Sequence, residues 1–158
     1  MLHYYVERKL TQLCCIRIMG KSIRAIMDEF ARAGFRRSRS REVILRLIRD
    51  SKQPVSAQEI RDMLRRSGDT FNKTTIYREI ETLQKAWYIK ELFLRSDKAL
   101  YEMAGEHHHH VMCVSCGDVR HIKLQESLDG EEQKIARREG FRVVEHSLEF
   151  FGLCQKCA

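Results

Sequence analysis

Two Cys-x-x-C pairs, Cys113–Cys116 and Cys154–Cys157, constrain this chain more than any other feature, because 37 residues (117–153) separate them. Each pair is a small chelate, and two pairs supply four thiolates to the corners of a tetrahedron, the arrangement of a closed zinc site. The separation exceeds the ~15–20 residues of a common zinc ribbon, so a folded segment must fill the loop that the metal closes. Four thiolates leave no open coordination position, which makes the expected site structural. A pair of redox dithiols is the other reading. The first residues include "LTQLCCIRIMG", which carries Arg17, is short and lacks a small-residue cleavage site, so it reads poorly as a signal peptide. No apolar run reaches the ~18 residues of a membrane span. A cytoplasmic location is expected, where such cysteines ligate metal rather than form disulfides.

Directly before the first pair stands "EHHHHVMC", and one tetrahedral ion cannot use all of these histidines and cysteines. On a strand successive side chains point to opposite faces, so His107 and His109 face one way and His108 and His110 the other. The run therefore reads as two half-sites, back to back. Each needs partners from elsewhere, and the residues after 100 offer Glu102, His121, Asp129 and His146. A solvated histidine-rich loop is the bland alternative. A purification tag does not fit an internal run that continues into a Cys-x-x-C.

Charge divides the 158 residues in two. Residues 1–100 hold 22 Lys and Arg against 12 Asp and Glu, a balance of +10, while residues 101–158 hold 7 against 10, a balance of −3. Six of the seven histidines also follow residue 100. A basic half points to a polyanion partner or to a solvated surface. Apolar content is 43%, ordinary for a folded protein.

Periodicity within the basic half predicts a helix over 22–33, with Ile23, Ile26, Met27 and Phe30 inside and Gly34 as its stop. After the connector "FRRSRS", Ser40 is expected to cap a second helix with Val43, Ile44, Leu47 and Ile48 inward and its charges outward. Ser56-Ala57-Gln58-Glu59 fits a capping box, opening a helix that buries Ile60, Met63 and Leu64 and ends at Ser67-Gly68. A further helix follows Asn72, with Ile76, Ile80 and Leu83 inside. "WYIKELFL" and "ALYEM" then read as strands of a hairpin joined by "RSDK". Helices followed by a hairpin make a winged helix-turn-helix pattern, whose second motif helix enters the major groove. The expected fold class is α+β: an N-terminal winged helix-turn-helix domain (22–103) after an extension of unassigned role (1–21, with Cys14 and Cys15), then a small metal-binding domain (104–158). In the latter, strands flank the Cys113–Cys116 turn, a helix over "LQESLDGEEQKIARREG" is acidic early and basic late, and "FRVVEHSLEFFGLC" is a strand. Motifs for zinc proteases, phosphate-binding loops and dinucleotides are missing.

Three stretches, "TTIYREIETLQKAWYI" after "VSAQEI", then "YEMAGEHHHHVMCVSCG", and last "GFRVVEHSLEFFGLCQKC", resemble the ferric uptake regulator family of bacterial metal-sensing repressors. The resemblance spans roughly residues 27–158. It implies an N-terminal DNA-binding domain, a hinge and a C-terminal α/β dimerisation domain. It implies a homodimer that binds double-stranded, AT-rich palindromic operators when a regulatory metal is present. On that resemblance, Tyr77 and Arg78, with Thr74 and Thr75, are the candidate DNA contacts of the recognition helix. Arg36 matches a residue that enters the adjacent minor groove. Cys113, Cys116, Cys154 and Cys157 match a structural Zn(II) site. Glu102, His108 and His110 match a regulatory site at the hinge, where His121 replaces an acidic residue and Pro54 or Gln53 replaces a histidine. His107, His109, Asp129 and His146 match a further site, with His109 in place of an aspartate. Zinc-sensing relatives commonly use a hinge cysteine, absent here, which disfavours a zinc sensor, while imidazole plus carboxylate suits Fe(II), Mn(II), Zn(II) or Ni(II).

A metal-dependent regulator, not an enzyme, is thus expected, with DNA and a second copy of the chain as partners and neither a membrane nor a small-molecule substrate. The competing readings are a zinc-dependent enzyme or redox protein using the histidine sites, a zinc-storage module, and a peroxide-sensing member of the same family.

Overall fold

The computed structural model describes residues 20–92, 94, 98–105, 108–124, 127–143 and 146–158. Residues 1–19 with Cys14 and Cys15, His107, and most of the turn expected between the hairpin strands (95–97) lie outside them. The chain divides into two compact units, up to residue 106 and from residue 107 onward.

Short-range capping chemistry shapes the helices of the first unit. Helix α1 (Ile23–Arg32) is capped by Ser22, whose hydroxyl accepts from the Ala25 amide, and Gly34 beyond its end takes φ +84°. Helix α2 (Arg39–Asp50) is capped by Ser38, not Ser40. Two serines two residues apart are equivalent caps by local rules. Glu79 discriminates: its Oε1 accepts from Ser38 at 2.8 Å and from Ser40 at 3.1 Å, drawing Ser40 into the first turn as a buried residue. The buried face of α2 also differs from expectation, since Leu45 joins Ile44 and Ile48 while Val43 and Leu47 are only partly buried. Arg41 turns inward, against the expectation that the charges of this helix face water.

Strand β1 (Val55–Ser56) leads into α3 (Ala57–Arg66) through the expected capping box, with Ser56 and Glu59 each satisfying the other's amide at 3.2 and 2.7 Å. Helix α4 (Lys73–Lys85) is capped by Asn72, which accepts from the Thr75 amide at 2.7 Å. Strands β2 (Ile89–Leu92) and β3 (Leu100–Met103) pair antiparallel, and β1 adds to the other edge of β3, giving the order β1-β3-β2. One core joins these elements, with Ile26, Ile44, Leu45, Ile60, Leu64, Ile76, Ile80, Leu83 and Ile89 fully enclosed. Truncating one of them to Ala costs about 2–5 kcal/mol.

The second unit has strands β4 (His109–Cys113) and β5 (Val119–Ile122), helix α5 (Asp129–Glu139) and strand β6 (Glu149–Gly152). Its sheet order is β5-β4-β6, with β4 antiparallel to β5 and parallel to β6. Gly140, at φ +68°, ends α5 in the left-handed conformation. Among its described residues the buried hydrophobics are only Met112, Cys113 and Val119, and α5 buries nothing. So small a core implies that other forces hold this unit. The whole is α+β, and among the described residues no helix is long and apolar enough to cross a membrane.

Candidate metal centres and nucleic-acid face

Cys113 ends β4, and the turn after it brings back Cys116, with the Gly117 amide donating to the Cys113 carbonyl at 2.9 Å. The parallel pairing of β4 with β6 sets Cys113 opposite Gly152, so the turn that follows delivers Cys154 and Cys157 to the same end of the sheet. The four sulfurs lie within 4.8 Å of one another, and Cys116 Sγ and Cys154 Sγ are 3.8 Å apart. A tetrahedral zinc with Zn–S of about 2.3 Å requires edges of about 3.8 Å. None of the four forms a disulfide. The backbone amides of Cys116 and Cys154 hold the Cys113 thiol down to about 6, while hydrogen bonds among the clustered thiols push Cys116 up and Cys157 up to about 12, so the four share their protons as one group. Donor type, number and spacing all fit zinc.

A second cluster lies on the sheet itself. His110 on β4 stands directly opposite His121 on β5, and His108 precedes His110 by two residues. Ring centroids are 4.3 Å apart for His108–His121, 5.0 Å for His108–His110 and 5.2 Å for His110–His121. A ring nitrogen from each lies within 4.8 Å of those of the other two. His110 is buried, His108 half-buried and His121 exposed. Glu102, expected with them, is a buried residue of β3 in the first unit, where its carboxylate lies 2.9 Å from Lys90 Nζ.

The opposite side of β4 carries His109, buried and stacked on His146 with centroids 5.4 Å apart. Burial lowers the His109 pKa, and His146, His108 and His110 lower it further, so the ring stays in the neutral form that ligates metal. Asp129, expected beside them, is exposed at the start of α5. The carboxylate that meets His146 is Glu132, which hydrogen-bonds its Nδ1. Reading residues one by one missed Glu132. Its signal was the three-residue spacing from Asp129, which puts both carboxylates on one helix face. His107 lies outside the described residues.

In the first unit, α4 buries Ile76, Glu79 and Ile80 and leaves Thr74, Tyr77 and Arg78 exposed, with Thr75 half-buried. Lys73 Nζ lies 5.7 Å from the Tyr77 ring centroid. Arg36 is exposed on the connector before α2. Behind this face, Arg41 Nε donates to Glu79 Oε2 at 2.9 Å, and its guanidinium lies over Phe30 and Phe35 at 4.6 and 5.6 Å. Arg41 also donates to the carbonyl of Arg36 at 3.4 Å. The pair links α2, the connector and α4, and nothing in the sequence foretold it.

The model of the ferric uptake regulator family matches residues 32–151. The chain belongs to the ferric uptake regulator family. The zinc uptake regulation protein of Mycobacterium tuberculosis is 33% identical over 126 residues, covering 79% of this chain and 96% of that one. The ferric uptake regulation protein of Neisseria meningitidis serogroup A is 32% identical over 108 residues, covering 68% and 74%. The solved structure of the Helicobacter pylori ferric uptake regulator superposes with a TM-score of 0.75 over 87% of this chain and 94% of that one, at 22% identity, a likeness of fold. Within the family, then, this chain holds its histidines on both faces of one strand and its cysteines at that strand's end.

Proposed function

We propose that the chain is a metal-dependent transcriptional repressor of the cytoplasm that binds AT-rich palindromic operator DNA as a homodimer. The observation that carries the reading is the set of converging imidazoles, His108, His110 and His121, five to eighteen residues beyond the last strand of a winged helix whose α4 exposes Tyr77 and Arg78. Zn(II) held by Cys113, Cys116, Cys154 and Cys157 would brace the sheet permanently. A divalent ion, Fe(II), Mn(II) or Zn(II), held by the three histidines and Glu102 would order the segment between β3 and β4. Restraining that segment would narrow the spacings available to two recognition helices, favouring the one that fits successive major-groove sites.

Thr74, Thr75, Tyr77 and Arg78 would meet the major groove, and Arg36 the narrow minor groove of AT-rich DNA. The second copy is supported by what the second unit leaves exposed: Phe150, Phe151 and Leu153 on and after the edge strand β6, and Ile135 and Phe141 on and after α5. A unit with so few buried residues would gain its core by covering these side chains. On the far side of β4, His109, His146 and Glu132 would form the additional metal site, Glu132 standing in for Asp129.

The test is operator binding titrated with each metal in wild type and in His108→Ala/His110→Ala. The double variant should remain a zinc-containing dimer and lose the metal response. If it gains DNA affinity with metal as wild type does, the switch lies elsewhere. Metal-dependent turnover of an ester or peroxide with no DNA binding would establish an enzyme instead.

A further inference from the structure

We propose that the buried pair Arg41–Glu79, which itself reaches no DNA, determines sequence specificity by holding Arg36 in register with α4, so that the minor and major grooves are read together. The proposal rests on the DNA-binding reading and adds to it the positioning residues that set its selectivity.

Glu79 directly follows Arg78 on α4 but points inward, and Arg41 points inward from the first turn of α2. The guanidinium uses its fork in two directions. Its Nε donates to Glu79 Oε2 at 2.9 Å, and its Nη1 donates to the Arg36 carbonyl at 3.4 Å. One rigid, planar group therefore spans from the helix that carries Tyr77 and Arg78 to the backbone that carries the Arg36 side chain. The other oxygen of Glu79 accepts from the Ser38 and Ser40 hydroxyls, and Ser38 Oγ accepts from the Arg41 amide at 3.3 Å. The connector is thus tied to α4 at residues 36, 38 and 40.

Arg41 has little room to move away. Its guanidinium lies 4.6 Å from the Phe30 ring centroid and 5.6 Å from that of Phe35, and the two rings meet edge to face at 5.5 Å. Displacing it would forfeit both cation–π contacts and leave a buried carboxylate unpaired. A packed, hydrogen-bonded chain of this kind can carry energetic coupling between two sites.

The neighbouring arginines sharpen the assignment. Arg37 pairs with Asp28 of α1 at 2.5 Å, and Arg39 pairs with Asp69, beyond the end of α3, at 2.8 Å. Among the described residues Arg36 has no carboxylate partner. Its side chain is the one left for DNA, and its carbonyl is the one that Arg41 holds. Groove contacts specify only when their donors are correctly placed, whereas phosphate attraction tolerates looser geometry. Breaking the pair should therefore cost discrimination and leave non-specific binding alone.

The test uses the full metal-loaded chain and a palindromic duplex selected from a randomised pool by the wild-type protein. Affinity is compared with that for the same duplex carrying G·C in place of its flanking A·T pairs, and for an unrelated duplex. Arg41→Met with Glu79→Leu removes one buried charge of each sign and no surface cation. It should lower discrimination between the first two duplexes by about fivefold or more. Affinity for the unrelated duplex and the slope against salt should stay at wild-type values, which a loss of folded protein would not allow. Arg36→Ala should abolish the same discrimination in wild type and add little to the Met/Leu variant, since both act through one contact. Arg41→Lys keeps the charge beside Glu79 but lacks the planar fork, and it should also lose discrimination; it carries the test if the Met/Leu variant does not fold. Full discrimination in a folded Met/Leu or Arg41→Lys protein, or an undiminished effect of Arg36→Ala in either, overturns the proposal and leaves the regulator intact. A wild-type protein that binds every duplex equally removes the regulator reading, and the proposal with it.

Discussion

Trp87 shows what a single backbone angle costs. It follows the Ala86 cap of α4 at φ +60°, the left-handed region, donating to the Gln84 carbonyl while Tyr88 donates to that of Leu83, both at 2.9 Å. These paired bonds close a helix through a left-handed residue, usually Gly, because a Cβ there costs about 1–2 kcal/mol. Trp87→Gly and Trp87→Ala both lose the half-buried indole, so their difference isolates the backbone. The Gly variant should be the more stable of the two by about 1 kcal/mol in urea unfolding. Equal midpoints would mean that the residue does not hold this angle in solution. Arg41 and Glu79 are a second residue-scale case, 7% and 3% exposed and paired. Glu79→Ala strands a buried guanidinium and should cost about 3–5 kcal/mol. Arg41→Met with Glu79→Leu removes both charges and should cost clearly less than the single change. A double variant as unstable as Glu79→Ala would show that packing, not the unpaired charge, sets the loss.

At the scale of the element, α4 divides its work by face. Ile76, Glu79 and Ile80 anchor it, while Tyr77 and Arg78 stay outside. The inner face fixes how the outer one is presented, since Glu79 ties α4 to Arg41 and both serines at the start of α2. Arg78→Ala should weaken operator binding and reduce the slope of log affinity against log salt by about one, as for one lost phosphate contact. Tyr77→Phe should change sequence preference more than affinity if the hydroxyl reads a base edge. Binding curves for both variants at several salt concentrations decide this, and curves coincident with wild type would remove α4 from the interface.

At the scale of the molecule, the two units are stabilised by different means. The first has a continuous apolar core drawn from all its elements. The second buries three hydrophobic side chains among its described residues and gathers four thiols instead. Structural zinc contributes about 10–16 kcal/mol of apparent binding free energy in small zinc domains, more than a core of three side chains supplies. With the proposed zinc site and homodimer, Cys113→Ser should therefore lose zinc and the dimer while α1 to α4 keep their helical signal. Thiols must ionise to ligate, so acidification should release zinc and produce the same half-folded state. A Cys113→Ser protein that stays dimeric with unchanged melting would refute the structural role.

The sequence by itself determined whatever depends on neighbours a few residues away. Ser22, Asn72 and the Ser56–Glu59 box cap their helices because a cap reaches only three residues. His110 parts from His109 because strand side chains alternate, and each Cys-x-x-C closes a chelate within one turn, whereas the two pairs meet only through the parallel pairing of β4 with β6. Family membership was legible for the same reason, through motifs that are each contiguous. The tertiary structure decided everything that needed a distant partner. Glu79 chose Ser38 over Ser40 as the cap of α2 and drew Arg41 inward, from some 40 residues away. The return of the chain to His146 set its Nδ1 beside Glu132, a carboxylate that helical spacing leaves on the same face as Asp129. Burying a polar or charged group is tolerable only beside a specific partner, and where that partner lies is set by packing rather than by local sequence.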